Sequence, residues 1–335
     1  MLEERDSYQQ GSFWYYAPNK GAPIAFAILF AVSGLWHFYL CLKLHCWKVT
    51  GLLPWSATLF TAGFVVRSIA AFGQWDNLNL FIVSQCLLLV GPPIYEAANF
   101  LTLGRILYYV PYHSPIHPGR VFTTFIALGL IIESLTGSGA SLVSNSSNPP
   151  SVQDAGKALM KASLILQLVQ MAGFVSIVLT FYRRCYRAGL LSYKIRRPLH
   201  VLLASCVLIT IRTVYRTVEY FEAASITVWD IDKISPVLKQ EWFFWVFEVM
   251  VMYSNTTMLN ILHPMTKLPK SNKIYLAKDG VTEIEGPGFQ DKRPFILTFL
   301  DPFDVGGMLM KKKRHEKFWE EGNQGLSAGA KVGDV

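Results

Sequence analysis

The sequence predicts an all-α protein, a bundle of seven transmembrane helices with the N-terminus outside and the C-terminus in the cytosol. Three observations carry this. Of 335 residues, 52% are hydrophobic and only 16% are charged, against about 25% charged in an ordinary soluble domain. Seven stretches are long and apolar enough to cross a bilayer, which takes about 20 residues each. Lysine and arginine are distributed unevenly between the two sets of connecting segments, which fixes an orientation. A mean hydropathy of +0.30 agrees. This composition excludes a soluble enzyme, a nucleic-acid-binding module and a disordered chain.

Residues 1–21 are polar and acidic, with no apolar core before Ala22. They read as an extracellular segment with no cleavable signal peptide, and the first membrane helix serves as its own insertion signal. The spans follow at about 22–42, 51–72, 79–104, 120–143, 158–182, 198–218 and 242–262, and make a membrane domain over 22–263. A core helix of a soluble protein would keep a polar stripe toward water. These stretches carry few charges on any side.

With the N-terminus outside, the inner segments, with the tail counted only as far as Lys278, hold fourteen lysines and arginines and the outer segments six. The densest inner run is 183–197, with Arg183, Arg184, Arg187, Lys194, Arg196 and Arg197. The outer stretch 219–241 is acidic. The sequon Asn145-Ser146-Ser147 falls outside, where glycosylation reaches it. Residues 264–335 read as a cytosolic, partly disordered tail. Its apolar stretch Pro294–Met310 and its run Lys311-Lys312-Lys313-Arg314 suit the anionic inner leaflet. A solvated tail is the plainer reading.

Charges inside a membrane are costly and point to a role. The candidates are Arg67, Glu96, Glu133, Arg212, Arg216, Glu219 and Glu248. Arg212, Arg216 and Glu219 are spaced i, i+4 and i+7, so they share one face of the sixth span, with Tyr215 at its edge. That face turns into the bundle. Arg67 and Glu248 lie at similar depth in the outer half; Glu133 lies near the middle and Glu96 nearer the inner half. Together they outline a polar outer-half cavity for a lipid head group or substrate. An ion-pair network that only fixes packing is the competing reading, and Arg212 has two candidate partners, Glu248 and Glu133.

Gly91-Pro92-Pro93 interrupts the third span, and Pro92 and Pro93 mark either a hinge beside Tyr95, Glu96 and Asn99 or a plain bend. Gly137 and Gly139 permit a close helix crossing or end the fourth span. His37, His200 and His263 lack metal-binding spacing, so no metal site is expected. There is no Walker A loop, nucleophile elbow or dinucleotide fingerprint, so no cofactor and no catalytic residues are expected. The five cysteines form no C-x-x-C and imply no structural disulfide.

Several of these residues fall into an order that resembles the fungal RTA-like proteins, the lipid-translocating exporter family. The resemblance spans about residues 14–265. Tyr16-Ala17-Pro18 is similar to the family's Y-x-P. Gln85, Pro92, Ala97-Ala98 and Leu103-Gly104-Arg105 are similar to its third-helix pattern, and Gln170 to a fifth-helix glutamine. Arg212-x-x-Tyr215-Arg216-x-x-Glu219 resembles its most specific run, R-x-x-[FY]-R-x-x-E. Glu241 and Glu248 resemble E-x-x-x-Y-x-[FL]-[DE], with Trp245 in place of Tyr. Departures are the missing fourth-helix Asp, Glu133 about where a Gln stands, and no Gly near Glu222.

The resemblance implies a multi-pass fungal membrane protein, often in the plasma membrane. Family members are linked to resistance against toxic lipids or sterol analogues, to export of sphingoid long-chain bases and to porphyrin movement. A lipid or amphiphile translocator is therefore the leading expectation, with membrane lipids or amphiphiles as partners. The alternative is a seven-helix receptor that signals to a cytosolic partner through 183–197 and the tail. A zinc-dependent membrane hydrolase is a third reading, which the histidine spacing disfavours.

Overall fold

The computed structural model describes residues 12–286, apart from 15, 146, 226–234, 270, 272 and 279, together with residue 296. Pro294–Met310, the 311–314 basic run and the rest of the tail otherwise lie outside the described residues.

Among the described residues, six helices are long and apolar enough to cross a membrane: α1 (Gly21–Leu44), α3 (Leu52–Ala71), α4 (Leu78–Tyr109), α5 (Pro118–Ser144), α6 (Pro150–Arg187) and α7 (Tyr193–Ser225). A four-residue α2 (Trp47–Thr50) sits between the first two, and α8 (Pro236–Lys239) precedes the last span. That seventh span is built in three pieces: α9 (Glu241–Phe244), a π-helical turn (Trp245–Met250) and α10 (Val251–Ile261). The protein is an integral, multi-pass seven-helix bundle.

The helices outrun the expected spans because hydropathy marks only the apolar window, whereas a helix propagates until something caps it. The Asn77 side chain accepts from the backbone N–H of Asn79 and Leu80 and starts α4. Prolines at the first helical turn start α5 at Pro118 and α6 at Pro150. At 38 residues, α6 is roughly 57 Å long. It stands well clear of a hydrocarbon core of about 30 Å.

Neighbouring spans pack in a closed ring, α1 to α3, α4, α5, α6, α7, α10 and back to α1, and α4 also touches α7 across the middle. Polar contacts seal the last joint. Thr256 Oγ1 lies 2.9 Å from Ser33 Oγ and 3.0 Å from His37 Nε2, and Asn260 donates to Ser33 Oγ at 2.7 Å. The outward face of α1 carries Ile28, Val32, Leu35 and Trp36, exposed as a lipid-facing surface requires. The aromatic core runs through Phe30, Phe60 and Phe64, all fully buried.

The bundle has a near end, where α1 begins, and a far end, where α4 finishes. The sequence reading ends the membrane domain at 263, but the described chain goes on packing to Gly286. A 3-10 turn at Pro264–Thr266 leads to an antiparallel hairpin, β1 (Ile274–Leu276) and β2 (Glu283–Glu285). This hairpin docks on the far end of α4. Arg105 donates to the carbonyls of Pro269, Ser271 and Ile274 at 3.3, 2.8 and 3.2 Å. Tyr108 donates to Lys273 O, and Tyr109 to Glu283 Oε1 at 2.8 Å.

Candidate functional site

The near end holds the charge cluster that the i, i+4, i+7 spacing anticipates. Arg212 and Arg216 are buried on the inward face of α7, one turn apart. Arg212 donates to Glu248 Oε1 at 3.1 Å. Arg216 pairs with the other oxygen of Glu248, and its NH1 donates to Glu219 Oε2 at 2.6 Å. Tyr215 donates to Glu219 Oε1 at 3.0 Å. Of its two candidate partners, Arg212 therefore hydrogen-bonds Glu248. That carboxylate reaches both arginines from the π-helical turn, a local widening that re-aims side chains.

Arg67 is fully buried at the same end but joins a second set. It donates to Glu241 Oε1 at 3.0 Å and to the Tyr16 hydroxyl at 3.0 Å. Glu241 also accepts from the backbone N–H of Asn19 at 2.9 Å. Burial pushes the Tyr16 phenol up to about 12, so it stays neutral beside this pair. The two sets meet at Phe244. Its ring centroid lies 4.3 Å from the Arg67 guanidinium and 5.8 Å from that of Arg216, both within cation–π range.

Glu96 and Glu133 lie elsewhere. Both line a cavity of about 470 Å³ floored by α4 and walled by α3, α5 and α6. Apolar side chains dominate it, with Trp55, Phe100, Phe122, Phe125 and Leu130 among them. Trp55 and Leu130 are exposed on the lipid side, which makes the cavity a groove that opens sideways toward the bilayer. At its inner wall Glu96 accepts from Gln167 Nε2 at 3.3 Å. Gln170 Oε1 is buried with no donor among the described residues. The groove therefore has more acceptors than donors: two carboxyl groups and a free amide oxygen. Behind it, Asn99 donates to Ser205 Oγ at 2.9 Å and ties α4 to α7.

The remaining candidates are scattered. α4 runs unbroken through Pro92 and Pro93, and Pro93 lines the groove. Gly139 meets Gly156 where α5 crosses α6. A Cβ on Gly139 would stand 2.8 Å from Gly156 O, whereas Gly137 has nothing within 4 Å. Asn145 is exposed at the near end of α5. His37 meets Thr256, and the exposed His200 ring stacks on Tyr182. All five cysteines are free thiols.

Residues 55–271 match the family described as RTA1 like protein. The chain belongs to that family. It is 40% identical over 330 residues to a lipid-translocating exporter-like protein RTA1 of Leptosphaeria maculans, covering 94% of this chain and 63% of that one. It is 29% identical to a protein of the same name from Ajellomyces capsulatus, over 80% of this chain and 85% of that one. A probable lipid transporter atnI of Emericella nidulans is 21% identical over 76% of this chain and 68% of its own. The chain thus spans 63% of the length of the Leptosphaeria relative. No solved structure matches the chain.

Membership in the RTA1 like family gives the two sites a context. Arg212, Tyr215, Arg216, Glu219 and Glu248 form one connected network, Arg67 lies beside it, and Glu96 and Glu133 line a groove that adjoins it, within electrostatic reach of Arg212. The sequence reading left three contributors out of its site. Gln167 stands three residues before Gln170 in the apolar middle of α6, a spacing that already puts both on one face. Glu241 is seven residues before Glu248, which a regular α-helix would put two turns apart on one face. Arg105, read as an inner charge and as part of the third-helix pattern, holds the hairpin.

Proposed function

We propose that this chain translocates lipids or other amphiphiles, with the head group in the groove at Glu96 and Glu133 and the tail left in the bilayer. One observation carries the reading: an apolar groove open toward lipid that ends on buried acceptors. An amphiphile fits such a site because its head brings hydrogen-bond donors to the free acceptors while its tail stays in hydrocarbon. A sphingoid long-chain base, with an ammonium and hydroxyl groups, matches this chemistry. A sterol-like or toxic lipid with a hydroxyl head is the next best fit.

In this proposal the N-terminus faces outside, the C-terminus is cytosolic and the plasma membrane is the site of action. The unit from 22 to 263 carries transport. The network of Arg67, Arg212, Tyr215, Arg216, Glu219 and Glu248 is the outer-half polar region beside the groove, where a head group leaves or arrives. Pro92 and Pro93 give α4 a weak point at the groove wall. The tail and 183–197 are available to a cytosolic partner, and the protein acts without catalysis.

The test is lipid movement in liposomes carrying the purified chain, followed with fluorescent long-chain bases and phospholipids. Movement well above empty liposomes, reduced in Glu96→Gln and in Leu130→Trp, is the expected result. Absence of movement for every lipid in folded protein would overturn the reading and favour a receptor.

A further inference from the structure

We infer that the groove between α7 and α10 at the far end is a binding site for an anionic glycerophospholipid of the leaflet that faces it. The site is separate from the groove at Glu96. Its cavity measures about 560 Å³ and is lined by Tyr193, Arg196, Arg197, His200, Val201, Ala204, Met258 and Leu262. The arrangement is amphipathic along its depth. Val201, Ala204 and Met258 lie toward the membrane interior, and Leu262 caps α10 at the mouth. Arg196 and Arg197 lie at the end of α7, where the span leaves the bilayer.

The charges at this groove are unbalanced. Arg196 and Arg197 are the fourth and fifth residues of a 33-residue helix, at the end where the macrodipole already carries positive charge, so they oppose it. Across the mouth, Lys267 Nζ lies 5.3 Å over the Tyr193 ring. Arg197 donates to the Tyr193 hydroxyl at 3.3 Å, a contact that orients the guanidinium but adds no negative charge. No carboxylate forms an ion pair with Arg196, Arg197 or Lys267 among the described residues. Glu283, on the nearby hairpin, is engaged by Lys194 at 3.5 Å and by Tyr109.

Three cations over an apolar floor want an anion attached to hydrocarbon. A phosphodiester presents oxygens that suit two guanidinium forks. Its acyl chains fit along Val201, Ala204, Met258 and Leu262. Basic pockets between membrane helices hold anionic head groups by this same division of labour. A soluble phosphate would satisfy the rim and leave the floor unoccupied, so the lipid is the occupant proposed.

The experiment is native mass spectrometry of the full chain, released from micelles that contain phosphatidylserine and phosphatidylcholine in equal amounts. The wild-type protein is expected to retain phosphatidylserine with a preference of about 150-fold, from three cations at about 1 kcal/mol each. In Arg196→Gln/Arg197→Gln, which keeps Lys267, the preference falls to about fivefold. Lys43→Gln/Lys48→Gln removes the same charge from the far end but away from the groove, and keeps the preference. Ala204→Phe fills the floor while leaving both arginines, and lowers retention of phosphatidylserine. It also decides the matter if the double arginine variant does not fold. Equal loss in Lys43→Gln/Lys48→Gln would mean diffuse surface charge and overturn the site. So would unchanged preference in the arginine variant, or glycerophosphoserine without acyl chains binding as well as the lipid.

Discussion

Arg212 and Glu248 join α7 to the π-helical turn of the seventh span through a 3.1 Å hydrogen bond in which both side chains are buried. Glu248 also answers Arg216, so one carboxylate balances two guanidinium groups, with Glu219 sharing the second. Removing the anion leaves two buried cations facing each other. Glu248→Ala is therefore expected to destabilise the bundle by about 3–5 kcal/mol. Arg212→Met/Glu248→Met removes one charge of each sign and should be closer to wild type, because Glu219 still serves Arg216. Thermal unfolding in detergent, followed by tryptophan fluorescence, checks the order of the two.

Arg105 spends its guanidinium on three backbone carbonyls of the segment that leads into the hairpin. Hydrogen bonds from a charged donor are worth about 1.5–3 kcal/mol each. Arg105→Ala should release residues 273–286 and speed their amide exchange by at least about tenfold. Hydrogen–deuterium exchange mass spectrometry reads this directly. Unchanged protection there would mean that Tyr108 and Tyr109 hold the hairpin by themselves.

Gly139 and Gly137 are two residues apart and predict opposite outcomes. A side chain at 139 collides with Gly156 O at 2.8 Å and with the Met160 side chain. A backbone atom cannot rotate away, so Gly139→Val must push α5 from α6 and cut the yield of folded protein. Gly137→Val meets nothing within 4 Å and should fold as wild type. Size-exclusion profiles of the two variants make the comparison.

Asn145 tests orientation. Expressed in a glycosylating host, the chain should shift on a gel after endoglycosidase treatment, and Asn145→Gln should abolish the shift. A shift that persists in Asn145→Gln would place the modification elsewhere. Its absence in wild type, with a cytosolic reporter at the near end, would invert the proposed topology.

The spans were legible because hydropathy is a local property and each helix has to be apolar by itself. The inward face of α7 was legible for a similar reason: i, i+4 and i+7 lie on one helix, whatever surrounds it. Partner choice was not. Whether Arg212 meets Glu248 or Glu133 depends on how α7 registers against α10 and α5, and a π-helical turn within the seventh span shifts that register. Arg67 illustrates the same limit, since its depth was readable but its partner Glu241 comes from 174 positions away. The hairpin left no apolar signature, because Arg105 holds it through carbonyl oxygens that every residue carries. The groove arises from the relative placement of four helices, and Glu96 and Glu133, separately visible, did not announce that they share it.

The closed ring also has a temporal meaning. A ribosome delivers α1 to α7 before the last span emerges, and Arg67, Arg212 and Arg216 enter the membrane while Glu241 and Glu248 are still unsynthesised. Until the 21-residue stretch from Glu241 to Ile261 arrives, Glu219 alone has been made of the carboxylates that form ion pairs with these three buried arginines among the described residues. The nascent chain is thus held in an incomplete state, with helices that favour shallow positions near the head groups, where guanidinium groups reach water. Arrival of the seventh span supplies both missing carboxylates and the α10–α1 joint together. Assembly therefore waits for the seventh span, and a chain cut before Glu241 would carry orphan charges that membrane quality control can sense.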